Sequence, residues 1–180
     1  MKKILIIYSS VDGQTEKICS YIKRIYDVSS KVEIASFDDV NENILTDFDL
    51  IIVGASIRYG KYRPNVIKFV NKNYKILNKI PNAFFSVNVV ARKENKSSPE
   101  TNPYVQKFLL LSKWKPLNLA VFAGKVDYPN YSLLNKYIIL FIMFLTDGPK
   151  DTSQSFEFTN WGKVDLFAKN VLKSLETQIQ

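Results

Sequence analysis

Ser9, Ser10 and Thr15 gather three hydroxyls around one glycine, Gly13, in the stretch Tyr8-Ser9-Ser10-Val11-Asp12-Gly13-Gln14-Thr15. The apolar run Ile4-Leu5-Ile6-Ile7 precedes this stretch and a helical pattern follows it. A glycine permits a tight turn, the hydroxyls donate hydrogen bonds, and the free N–H groups of a helix start add a partial positive charge. That combination is a cradle for a phosphate. The loop has no lysine in the GxxxxGK[ST] arrangement and no GxGxxG, so neutral donors would hold a monophosphate rather than a nucleotide pyrophosphate. Without a ligand, the same residues read as an ordinary capped helix start.

Other chemistries are closed off by composition. The chain has no histidine and one cysteine, Cys19, which removes Ser/His/Asp triads, histidine-ligated zinc and cysteine clusters. No metal site is expected, and with no intramolecular disulfide available a reducing cytoplasm is the default. The formal net charge is +8, spread along the chain with small groups at Arg58/Lys61/Arg63 and Lys113/Lys115. Such a surplus suits an anionic small molecule, a membrane face or nucleic acid, or is simply a solvated lysine-rich surface.

These residues must be positioned by regular elements. Lys3 to Tyr8, Val32 to Ala35, Leu50 to Val53 (ending at Gly54), Ala83 to Val90 and Leu119 to Ala123 read as strands, with a further short strand at Phe156 to Thr159. Helices are expected from about Thr15, after Pro64, after Asn102-Pro103, and after Asn160. Continuous apolar strands alternating with helices argue for a parallel sheet covered on both faces, with ligands beyond the carboxyl ends of its strands. The chain reads as one domain, 1–180, without linker or repeat. Its one irregular region is 125–155, where Tyr137 to Leu145 is apolar without a break.

Ile6-Ile7-Tyr8-x-Ser10-x-x-Gly13-x-Thr15 resembles the flavodoxin motif, in which this loop holds the phosphate of FMN; Cys19 stands where the motif usually has alanine. The segments Asp12 to Thr15, Gly54 to Tyr62 (GASIRYGKY), Ser86 to Lys93 (SVNVVARK) and Thr101 to Leu109 (TNPYVQKFL) are similar, in the same order, to the menaquinone-dependent protoporphyrinogen IX dehydrogenases. The resemblance runs over essentially the whole chain. It implies a flavodoxin-like α/β fold: a doubly wound, five-stranded parallel sheet in order 2-1-3-4-5, with a long-chain insertion at the fifth strand. It also implies FMN-dependent oxidation of protoporphyrinogen IX in haem biosynthesis, with menaquinone or ubiquinone as acceptor.

On that resemblance, three loops are expected to bind FMN: Ser9, Ser10, Val11, Asp12, Gly13, Gln14 and Thr15 at the phosphate; Ser56, Ile57, Arg58, Tyr59 and Gly60 at the ring edge; and Ser86, Val87, Asn88, Val89, Val90 and Ala91 along the ring. Arg58 is the candidate catalytic residue, placing positive charge by the reduced ring or pairing with a substrate carboxylate. Arg92 and Lys93 read as a solvated turn. The apolar stretch in 125–155 is too short to span a bilayer. It is expected either to contact lipid or a greasy substrate, with Tyr128, Tyr131 and Tyr137 at an interface, or to pack in the core or against a second subunit. The expected location is the cytoplasm, peripheral on the inner face of the membrane, with no nucleic-acid partner. The rival readings are a long-chain flavodoxin electron carrier, disfavoured by the basic charge, an NAD(P)H:quinone reductase of the same fold, and a flavin-less interaction protein, disfavoured by the retained phosphate loop.

Overall fold

The structure is a computed structural model and describes residues 1–177. Strands β1 (Lys2–Ser9), β2 (Ser30–Ser36), β3 (Leu50–Ser56), β4 (Asn82–Val87) and β5 (Asn118–Phe122) form one sheet in order β2-β1-β3-β4-β5. Every pairing in it is parallel. Both faces are covered because each strand sends alternate side chains to opposite sides. Ile4 and Ile6 of β1 join one apolar cluster with Ile18, Cys19 and Ile22 of α1 (Gln14–Tyr26) and Phe167, Ala168 and Val171 of α5 (Trp161–Thr177). Leu5 and Ile7 join the opposite cluster with Val66, Phe69 and Val70 of α2 (Pro64–Leu77) and Phe108 of α3 (Pro103–Leu111). Each fully buried Ile or Leu contributes roughly 1.5–3 kcal/mol of transfer free energy.

Helix starts follow their local chemistry. Pro64 and Pro103 occupy first turns, where a missing N–H costs nothing. The Asn102 carboxamide accepts from the N–H groups of Tyr104 and Val105, and Asn160 accepts from Lys163 N–H at 3.1 Å.

Three expectations need correction. The third strand does not end at Gly54 but continues to Ser56. Phe85 of β4 lies so close that a Cβ on Gly54 would sit 2.3 Å from the ring, so the glycine serves close packing within the sheet. The fourth strand stops at Val87, not Val90, because the Asn88 side chain accepts from Ala91 N–H and turns Val89–Arg92 into a 3-10 turn. The short strand expected at Phe156 to Thr159 is β7 (Ser155–Glu157), and it lies outside the main sheet. It pairs antiparallel with β6 (Lys125–Asp127), a strand the sequence did not reveal.

Between β6 and β7 lies α4 (Leu133–Leu145). Ile139 and Met143 are buried in a satellite cluster with Val126 and Tyr128. Leu133, Leu134, Tyr137, Phe141, Phe144 and Leu145 are exposed, each by more than 60 %. The helix is docked along one stripe and open along the other. Tyr128 is wholly buried, its hydroxyl donating to Pro149 O at 2.8 Å, so of the three expected interfacial tyrosines this one belongs to the core.

Candidate functional site

The carboxyl ends of β1, β3 and β4 open onto one cleft of about 770 Å³, part of it continuous with solvent. Beside it, Gly13 makes the turn from β1 into α1 with φ 76°. A Cβ there would meet nothing within 4 Å, so the glycine is needed for its left-handed backbone and not for space. Around it, the hydroxyls of Ser9, Ser10 and Thr15 are buried with no hydrogen-bond partner in the protein. A buried unsatisfied polar group costs about 1–3 kcal/mol. Three of them within one strand-to-helix turn, two lining the cleft, is the arrangement expected of a site completed by a ligand rich in acceptors. A phosphate fits on donor chemistry alone. Gln14 is directed elsewhere: its amide donates to Thr159 Oγ1 at 2.8 Å, tying α1 to the segment before α5.

The second loop is a tight turn closed by hydrogen bonds between Arg58 and Lys61 in both directions. Its two central residues, Tyr59 and Gly60, have φ 49° and 76°. The turn is pinned to its neighbours by Ser56 Oγ donating to Ser9 O and Ile57 N–H donating to Val87 O. The Arg58 guanidinium lies 2.8 Å from Asp12 Oδ2 and is stacked on both Tyr59 and Tyr131, each at 4.9 Å from the ring centroid. Burial acts to lower the Arg58 pKa, but the Asp12 carboxylate and the two tyrosine hydroxyls outweigh it and the net shift is upward. Tyr131 hydrogen-bonds Asp12 Oδ2 at 3.1 Å, and burial pushes its phenol above the ordinary value. Tyr59 donates to Asn135 of α4.

In the third loop, Asn88 lines the cleft but its carboxamide faces inward. It donates to Ser86 Oγ at 3.2 Å, accepts from Ala91 N–H at 3.0 Å and pairs with Asn102, the cap of α3. Ser86 also accepts from the buried Tyr62 hydroxyl at 2.9 Å.

Of the residues expected at a cofactor, the structure brings Ser10, Val11, Asp12, Gln14, Thr15, Ser56, Ile57, Arg58, Tyr59, Gly60, Val87, Asn88, Val89 and Val90 to the cleft wall. Ser9, buried at the end of β1, and Gly13, exposed within the loop, are not among the lining residues. Ser86 is buried in a hydrogen-bond network, and Ala91 packs with Val105, Val121 and Ala123. Sequence reasoning missed Tyr104, Gly124, Lys125 and Val126; of the 125–155 region, read as a lipid contact, a wall for a greasy substrate or core, Tyr131, Ile139, Ile142 and Met143 line the cleft. The position of Lys125 just beyond the fifth strand was a usable signal. The inward stripe of α4 was not, since every side of that helix is apolar in sequence.

Arg92 also differs from its expectation. It is half-buried, and it donates to Val89 O, Thr146 O and Thr146 Oγ1 rather than to solvent.

The flavodoxin domain family matches residues 5–153 of this chain. A protoporphyrinogen IX dehydrogenase (quinone) from Escherichia coli strain K12 is 39 % identical over 170 residues, covering 94 % of each chain. A protein of the same name from Leishmania major is 38 % identical over 93 % of this chain and 74 % of its own. The solution structure of two-electron reduced flavodoxin from Megasphaera elsdenii superimposes with a TM-score of 0.50 at 17 % identity, over 66 % of this chain and 84 % of that one, a likeness of fold.

Proposed function

The chain belongs to the flavodoxin domain family and, within it, to the quinone-dependent protoporphyrinogen IX dehydrogenases; from that premise we propose that it oxidises protoporphyrinogen IX to protoporphyrin IX with FMN as cofactor and menaquinone or ubiquinone as acceptor. The observation that carries the reading is the set of three partnerless buried hydroxyls at Ser9, Ser10 and Thr15, beside a cleft whose far wall is apolar.

The residues present fit FMN. Ser10 and Thr15, which line the cleft, and the start of α1 would hold its phosphate, with Ser9 behind them, and the Ser56–Gly60 and Val87–Val90 segments would border its ring. Bound FMN supplies two-electron acceptance from the tetrapyrrole and delivery to the quinone. The protein's own work is to bind, orient and exclude water. Ile139, Ile142 and Met143 offer an apolar wall for a large flat substrate, and Val89 packs against the same cluster and extends it. Arg58 supplies a fixed cation at the rim. It is stacked between two tyrosines, which suits a substrate carboxylate or negative charge at the reduced ring.

The outer face of α4 supports a peripheral location on the inner face of the cell membrane, with the rest of the chain in the cytoplasm. Its apolar side chains are exposed, and Lys150 sits 4.7 Å over Phe144. A 13-residue helix is about 20 Å long, short of a bilayer's hydrocarbon core. No helix among the described residues is long and apolar enough to cross a membrane. A basic surface adds attraction to anionic headgroups, about 1 kcal/mol per Lys or Arg close to the surface.

The test is direct. The purified protein should carry FMN and turn over protoporphyrinogen IX when a quinone is supplied. A protein that takes up no FMN, or that holds FMN and oxidises NADPH but not protoporphyrinogen, would falsify the reading.

A further inference from the structure

We propose that Arg92 is a positioning residue that fixes the 3-10 turn Val89–Arg92 against the end of α4, and so the shape of the apolar part of the cleft that receives the flat tetrapyrrole. The inference rests on the functional reading above. The 3-10 turn Val89–Arg92 brings Val89 and Val90 to the cleft, and α4 brings Ile139, Ile142 and Met143; Val89 also packs against the buried cluster that holds Ile139 and Met143. Arg92 itself is not among the cleft-lining residues, so it acts through its neighbours.

Its guanidinium bridges the turn and the end of α4. Nη1 donates to Val89 O at 3.1 Å, while Nη2 donates to Thr146 O at 2.5 Å and Thr146 Oγ1 at 3.1 Å. Thr146 is the C-cap of α4 and is bonded back to the helix, its N–H and hydroxyl both donating to Ile142 O at 3.0 and 2.8 Å. An unbroken series of hydrogen bonds thus runs from Val89 to Ile142, two residues that both line the cleft. A cation at the C-terminal end of a helix also meets the negative end of its dipole.

The junction has little slack. Asp147 adopts φ 53° and Gly148 N–H closes onto Met143 O at 2.8 Å, folding the chain back under the helix end. A Cβ at Gly148 would lie 2.3 Å from Met143 Sδ and 3.0 Å from Arg92 Nη2. The site therefore offers two independent ways to move the α4 wall: removing the bridge, and wedging the junction. Lysine cannot replace the bridge, because a single ammonium does not reproduce the planar fork that reaches acceptors on both the turn and the end of α4.

The experiment compares FMN-loaded wild type, Arg92→Ala, Arg92→Lys and Gly148→Ala. Each is titrated with protoporphyrin IX for its Kd, assayed for KM and kcat on protoporphyrinogen IX, and titrated for FMN affinity. Arg92→Ala and Gly148→Ala should weaken porphyrin binding and raise KM by roughly tenfold, through the altered placement of Val89, Ile142 and Met143. FMN affinity and kcat should change by less than about twofold, since only the fit of the substrate is altered. Arg92→Lys should not restore the wild-type KM. Unchanged porphyrin binding in Arg92→Ala and Gly148→Ala overturns the proposal. So does a parallel fall in FMN affinity, kcat and porphyrin binding, which marks a general structural role. If Arg92→Ala does not fold, Arg92→Lys and Gly148→Ala decide the matter on the same readouts. A wild-type protein that neither binds protoporphyrin IX nor oxidises its reduced form overturns the functional reading itself, before any variant is compared.

Discussion

Asp12 and Arg58, 46 positions apart in the chain, meet at 2.8 Å across the rim of the cleft. The same carboxylate oxygen receives the Tyr131 hydroxyl at 3.1 Å. One oxygen atom therefore joins the loop after β1, the turn after β3 and the segment leading into α4. Asp12 does not turn toward the three partnerless hydroxyls beside it. It holds the guanidinium in place while Tyr59 and Tyr131 flank it.

Arg58 should accordingly matter for turnover and not for retention of FMN. Arg58→Ala is expected to purify with flavin and to lose roughly tenfold or more of its protoporphyrinogen oxidation, the worth of a charge-assisted contact. Arg58→Lys should recover little, because the contacts are planar stacking and a directed hydrogen bond. The check is a flavin-fluorescence titration beside steady-state assays. A flavin-free variant that regains full activity when FMN is added would place Arg58 in cofactor binding instead.

Thr15 is expected to behave in opposite ways with and without cofactor. Its hydroxyl is buried and partnerless in the unliganded protein, so Thr15→Ala should leave the melting temperature of the apoprotein unchanged or raise it. The same variant should bind FMN roughly ten- to hundredfold more weakly, through loss of a hydrogen bond to a charged phosphate. It should consequently gain less thermal stability than wild type from a given FMN concentration. A variant with wild-type FMN affinity removes Thr15 from the phosphate site.

The two faces of α4 should separate by mutation. Changing Phe141, Phe144 and Leu145 together to Ser alters exposed positions, so the fold and FMN content should persist. Binding to anionic vesicles and quinone-coupled turnover should fall, while oxidation with a soluble artificial acceptor continues. Ile139 and Ile142 face the cleft, and their replacement by Ser should impair substrate oxidation with either acceptor. Vesicle sedimentation alongside both assays reads the difference. An outer-face variant with undiminished vesicle binding and quinone turnover would rule out the membrane contact.

Asp127 gives the β6–β7 ribbon a pH dependence. Hydrogen bonds from Lys125, Ser155 and Asn130 hold its carboxyl down to about 2. With the folded pKa depressed, its stabilisation is fully present above the unfolded value near 4 and is lost as pH falls toward 2. Asp127→Asn should therefore destabilise the protein by roughly 2 kcal/mol at neutral pH, with the difference from wild type shrinking below about pH 4. Denaturant melts at pH 7 and pH 3 measure this. A deficit that persists undiminished at pH 3 would mean that the carboxylate's charge is not what stabilises the ribbon.

The order of elements and the sheet were legible because they rest on local pattern. Unbroken apolar runs such as Leu50 to Val53, a proline at the first turn of α2 and α3, and Asn102 at a helix start each carry their meaning within a few residues. The hydroxyl loop was legible for the same reason, since its donors and its glycine are contiguous. Tertiary structure alone decided which strands continued or stopped. Gly54 looks like a strand end until the Phe85 ring is seen against it, and Asn88 looks ligand-facing until its carboxamide is found between Ser86, Ala91 and Asn102.

The far wall of the cleft was hidden most completely. A helix that is apolar on every side has no stripe to announce its inner face. That Ile139 and Met143 turn inward while Phe141 and Phe144 turn out is set by docking against Val126 and Tyr128, and by tethers at the two ends of the segment. Those tethers, Tyr131 to Asp12 and Arg92 to Thr146, join residues 119 and 54 positions apart. Sequence determined which chemistry was available, because composition and contiguous loops are local properties. Only the folded chain decided where Arg58 and Arg92 spend their charge, because a guanidinium binds whichever acceptors packing brings within reach.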